Sequence, residues 1–127
     1  MFNIQQIEAA HSKVKTGADF PNYIKEIQEL GVTGFEYFVS NGKEIFFGKD
    51  CQVESPDKYE AINISKDVNA HIFKNELVAH QQGKTTFEEF LKMSAETGIS
   101  YWKVDFALKT CTYFDLKDRE VVKEMLG

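Results

Sequence analysis

The chain has 127 residues, 43% of them apolar and 28% charged, and carries a net charge of −5. That length buries a core without disulfide or metal staples. The acidic balance excludes a duplex nucleic-acid binder and a binder of anionic membranes, both of which need a basic surface.

Its 15 Lys and Arg are interspersed with 20 Asp and Glu, so the charge serves solubility rather than a segregated patch. The opening "MFNIQQIEAAH" is amphipathic from the start, with no basic-then-apolar leader. No apolar run approaches the length of a membrane span. Cys51 and Cys111 lack metal-ligand spacing. Reduced thiols and a cytoplasmic location are therefore expected.

In chain order, Ile4, Ile7, His11 and Val14 recur at helical spacing over 3–15, with Gly17 as the stop. Asp19 and Pro21 open a second helix bearing Phe20, Tyr23, Ile24, Ile27 and Leu30, stopped by Gly31. The period then changes to two at Phe35, Tyr37 and Val39, and Asn41-Gly42 favours a type I′ hairpin turn. Residues 44–48 form the return strand, 49–58 a polar loop, and 59–64 a further strand.

Asp67 starts a third helix with Val68, Phe73, Leu77 and His80, and Gly83 lies just past its end. Thr86 and Glu89 form a capping box for a fourth helix, which ends at Gly98. "ISYWKVDF" and "TCTYFD" read as a second hairpin and "REVVKEML" as a closing strand. A displacement of 67 residues lays Phe20 on Phe87, Tyr23 on Phe90, Gly31 on Gly98 and Phe35 on Trp102. Duplication of a helix–hairpin unit and chance similarity of composition account for this equally well.

His80 falls on the apolar stripe of its helix. It is either a buried base or, as the sequence favours, a group complementing the free carbonyls of the helix end. Gln81 and Gln82 can satisfy the loop backbone beside it. Cys111, His80 and Asp105 are the ingredients of a thiol nucleophile with an oriented base. The pleat opposes that assembly. A tight turn at Leu108-Lys109 sets Phe106 opposite Cys111, Val104 opposite Tyr113 and Asp105 opposite Thr112. Cys111 then shares the core side with Trp102, while Asp105 points away with Lys103 and Thr112.

The equivalent turn in the first hairpin leaves Phe38, Ile45 and Phe47 on the side away from the helices. Three large apolar groups there need a cover, from the first helix, a second copy of the chain or a ligand. His71 and His80 lie outside chelating spacing, so neither metal nor cofactor is expected.

The run "AHQQGKTTFEEFLKMSAETGISYWKVDFALKTCTYFD", together with "YIKEIQELGV", resembles the YbcV-like family of prophage-associated and bacterial proteins. His80 to Gly83, Trp102 to Asp105 and Thr110 to Tyr113 carry the match. Thr86 stands where such members have an acid, and Lys117-Asp118 where a glycine is expected in the last turn. The resemblance implies no activity; the phage envelope label attached to some members implies no mechanism.

The expected fold is one α+β domain of two helix–hairpin units, forming an antiparallel sheet with helices mainly on one face. The expected function is non-catalytic binding as a homodimer through Phe38, Ile45 and Phe47. A phage or host protein is an alternative partner; nucleic acid and membrane are not expected. The competing reading is a small-molecule site or enzyme with a cleft near His80, Gln81, Trp102 and Tyr113.

Overall fold

The computed structural model describes residues 2–15 and 19–125. Helix α1 (Ile4–His11) starts at a capping box in which Asn3 Oδ1 accepts from the Gln6 N–H and Gln6 Oε1 from the Asn3 N–H, both at 2.9 Å. It ends before Ser12, earlier than its apolar spacing implied, and Gly17 lies outside the described residues. Helix α2 (Phe20–Leu30) starts at Asp19 with a proline in its first turn and ends at Gly31, whose φ is +108°.

Helix α3 (Ala70–Gln81) is capped by Asn69, whose side chain accepts from the Ile72 N–H. The expected start at Asp67 is displaced because its N–H is held by Ser65 Oγ in a local turn, and Val68 lies outside the helix. Helix α4 (Phe87–Glu96) has the expected Thr86–Glu89 box.

The described residues also form six strands: β1 (Gly34–Phe38), β2 (Glu44–Phe47), β3 (Gln52–Glu54), β4 (Tyr101–Asp105), β5 (Thr110–Phe114) and β6 (Glu120–Met125). They form an antiparallel α+β sheet in the order β3-β2-β1-β4-β5-β6. The element order of the first half recurs in the second, and a displacement of 67 residues carries the span of β1 onto that of β4. The two halves meet where β1 pairs β4, with Glu36 opposite Lys103.

The third strand lies in the segment expected to be a loop, whereas 59–64 forms no strand. Three residues are too few to show alternation, and the later stretch is anchored otherwise. There Tyr59 donates its hydroxyl to the Val39 carbonyl, and the Ile62 N–H goes to Ser40.

Both hairpin registers slip by two residues from the expected pairs: Glu36 faces Ile45, and Val104 faces Cys111. A type I′ turn needs positive φ at both central residues, but only Gly42 has it in the first turn, at +73°. The loops are instead four residues long, with the last residue left-handed, Gly42 in one and Lys109 (φ +55°) in the other. A slip of two leaves every side chain on its expected face.

The β5–β6 turn manages without the expected glycine because Asp118 takes the left-handed conformation, at φ +60°. Buried Asp115 holds it there, accepting the Lys117 and Arg119 N–H groups and the Arg119 guanidinium.

Phe35, Tyr37, Phe46, Trp102, Val104, Cys111 and Tyr113 carry the buried side of the sheet, against which the helices lay Ile7, Tyr23, Ile27, Phe73, Leu77, Phe90 and Leu91. No helix among the described residues is long and apolar enough to cross a membrane.

A Cβ at Gly34 would overlap the Val104 carbonyl oxygen, so the central strands close only around a glycine. Gly83, at φ +77°, has open space around its Cβ position. Gly34→Ala should therefore cost about 2–3 kcal/mol and Gly83→Ala about 1 kcal/mol, read by urea denaturation. Equal losses would contradict the close approach.

Burial works to raise the Asp115 carboxyl, but the hydrogen bonds from Arg119 and Lys117 outweigh it and hold the group below its ordinary value of 3.8. A depressed carboxylate adds stability that is present above the unfolded-state value and lost as pH falls through the folded one. The stability gap between wild type and Asp115→Asn should stay constant from pH 7 to about 5 and narrow towards pH 3. Chemical denaturation across that range checks it; a gap that widens on acidification would refute it.

Candidate functional site

The segment around His80 closes α3 by a Schellman arrangement: Gly83 N–H bonds the His80 carbonyl at 2.9 Å and Lys84 N–H the Ala79 carbonyl at 3.0 Å. Because backbone groups take these carbonyls, the imidazole is free to turn elsewhere. It stacks on Phe90 of α4, with centroids 4.5 Å apart and planes 14° from parallel, and its Nδ1 shares a 3.0 Å hydrogen bond with Thr85 Oγ1. His80 thus pins α3 to α4 rather than complementing its own helix end. Gln81 also leaves its helix end, donating from Nε2 to Glu124 Oε2 of β6 at 2.8 Å.

Trp102 and Tyr113 are opposite each other on β4 and β5 and both buried. Trp102 stacks on Tyr37 at 4.6 Å and 6°, and meets Phe90 at 5.7 Å. Tyr113 packs on Phe73 at 5.0 Å. Phe90 therefore sits between His80 and Trp102, and Phe73 beside Tyr113, where a cleft would have to open. The four residues proposed from the sequence are brought near one another, but as a packed seam.

Cys111 lies in this seam, 5% exposed, beside Tyr113, whose hydroxyl donates to Glu124 Oε1 at 3.0 Å. Burial pushes the Cys111 thiol up to about 12; a hydrogen bond with Tyr113 opposes this and the charge of Glu124 adds to it. Burial, then Cys111 and Glu124, also raise the Tyr113 phenol. Both groups stay protonated at neutral pH, which removes a thiolate nucleophile. Asp105 is on the other face, where Oδ1 accepts the Leu108 N–H at 3.0 Å within the hairpin loop. Cys111 and Asp105 are thus separated by the sheet, as the pleat requires. Among the described residues no three His, Cys, Asp or Glu side chains converge as metal ligands.

The helix-free face presents the other candidate set. Phe38, Ile45 and Phe47 are half-buried there. The first helix does not cover them: Ile4 and Ile7 of α1 lie with Phe46, on the opposite face. Instead the surface rings shelter one another. Phe38 meets Tyr101 at 5.4 Å, Tyr101 stacks on Phe114 at 4.9 Å, and Lys103 Nζ lies 5.8 Å from the Phe47 ring centroid. Tyr101 donates to Asp118 at 2.9 Å; burial and that contact push its phenol up to about 12. Tyr101 and Phe114 are the members that sequence reasoning missed, although they share the parity of Lys103 and Thr112, already placed on that face.

A family described as "Protein of unknown function (DUF1398)" matches residues 8–125. The chain belongs to that family. No curated protein matches it. The DUF1398 match spans both halves of the sheet, the packed seam and the ring-bearing face alike.

If the seam is structural, native protein should expose one thiol to Ellman's reagent at pH 8, the half-buried Cys51, with Cys111 reacting only on unfolding. Peptide mapping of the labelled thiol checks this. Rapid native labelling of Cys111 would reopen the nucleophile reading.

Proposed function

We propose that the chain is a non-catalytic binding protein whose helix-free sheet face packs against a second copy of itself. The observation that carries this reading is the pairing of Glu36 with Lys103 at the centre of that face, beside the Phe38–Tyr101 contact. Consider a second copy turned over about an axis running along the strands between β1 and β4. Glu36 then meets the partner's Lys103, and Lys103 meets the partner's Glu36. Phe38 meets the partner's Tyr101 in the same way. The patch would then be self-complementary in charge and in the placement of its rings, as a twofold interface requires.

Six strands at about 4.8 Å spacing and about five residues each give a footprint on the order of 450 Å² per copy. That is below the roughly 800 Å² of a standard interface, so association belongs in the micromolar range. A cytoplasmic location and YbcV-like, phage-associated ancestry are part of the same proposal, with a phage or host protein as the other candidate occupant.

Sedimentation equilibrium from micromolar to near-millimolar protein should show the mass rising from one chain towards two. Lys103→Glu should weaken the association about tenfold, and adding Glu36→Lys should restore most of it. A monomer throughout that range would refute self-association. A double variant no stronger than the single one would refute this geometry.

A further inference from the structure

On the helix-bearing side, away from the proposed dimer face, a cleft of about 250 Å³ opens between α1, β2 and residues 55–58. Ile4, Ile7 and Phe46 give it an apolar floor, and Tyr23, Glu44 and His11 stand in its walls. We propose that this cleft binds a small primary amine carrying an apolar body, with the ammonium seated between Glu44 and the Tyr23 hydroxyl.

Tyr23 is only 5% exposed, and since no fully buried side-chain oxygen among the described residues lacks a partner, its hydroxyl, which makes no hydrogen bond to those residues, opens to the water of the cleft. A hydroxyl at the wall of a cleft that is satisfied only by water can exchange that water for a donor on a ligand. Burial and then the nearby Glu44 carboxylate hold its proton in place above the ordinary range. Glu44 is close enough to act on Tyr23 electrostatically, yet no hydrogen bond joins them. A donor between the two would satisfy both.

The charges in the walls select the sign of that donor. Lys58 Nζ is engaged with Glu44 Oε1 at 2.6 Å and the Gly42 carbonyl at 2.7 Å. This leaves the second Glu44 oxygen and the carboxylate of Glu8, also in the cleft wall, as acceptors. An organic anion would face both carboxylates; an ammonium is drawn to them and to the faces of Tyr23 and Phe46. The cleft is also particular to this half of the fold. The displacement of 67 residues takes Tyr23 to Phe90 and Phe46 to Tyr113. There fully buried Phe73 fills the space, 6.0 Å from Phe90 and 5.0 Å from Tyr113. In the first half the smaller Ile7 comes down from α1 and leaves room.

The test is an amide chemical-shift titration of the full chain with 2-phenylethylamine, with phenylacetate and 2-phenylethanol as matched controls. The amine should give saturable shifts at Ile7, Tyr23, Glu44 and Phe46, and the controls should not. Glu44→Gln should weaken binding about tenfold and Tyr23→Phe about threefold. The second variant keeps the ring, so it remains informative if the first fails to fold. Equal binding of the acid or alcohol, no saturable shift with the amine, or a folded Tyr23→Phe variant binding as wild type would overturn the assignment.

Discussion

The contact between β1 and β4 turns two three-stranded halves into one sheet, and most of what the molecule presents depends on it. The halves do not cross over; each adds its strands outward from this central pair. The join is close enough that Gly34 sits against the Val104 carbonyl, where no side chain fits. With the two central strands in register, all four helices fall on one side and an uninterrupted sheet surface remains on the other. The pairing also brings Glu36 beside Lys103, so a patch assembled from two distant parts of the chain has its opposite charges at the middle.

The sheet then acts as a partition. The Cys111 thiol, the Tyr113 phenol, the His80 imidazole and the Trp102 indole go to the helix side, where ring packing and hydrogen bonds use them for cohesion. The Asp105 carboxylate goes to the other side and serves a loop. Desolvation keeps Cys111 and Tyr113 protonated, so the residues that look most reactive in the sequence are the least able to react. The surface offers another molecule rings and opposite charges on the open face, and a small cleft with an apolar floor beside α1.

Face assignment was legible because it needs only alternation, and a hairpin slip of two residues does not disturb it. The caps at Thr86 and Gly31 and the stop at Gly83 were legible because each is a local signal with a local cause. Hairpin register was not: Asn41-Gly42 strongly suggests a two-residue turn, yet the Asn41 side chain accepts the Lys43 N–H and stabilises a longer loop. Strand β3 was missed because it is short and its partner is set by tertiary contact. The roles of His80 and Gln81 were only half visible. Helix position gave their neighbourhood, but their partners, Thr85 with Phe90 and Glu124, come from the α3–α4 connection, α4 and β6. The Tyr23–Glu44 cleft had no linear signature, since its walls come from α1, α2, β2 and the segment after β3.

The two outer strands limit how the molecule can grow. One border of the sheet is a strand of three residues, and the other, β6, places Glu120, Lys123 and Glu124 along its length. Borders this short or this charged are poor templates for adding another chain by backbone hydrogen bonds. The association proposed through the broad surface, by contrast, would use that surface up in a single event. A molecule pairing in that way would stop at two copies, and at high concentration it should yield discrete particles rather than ribbons or fibrils.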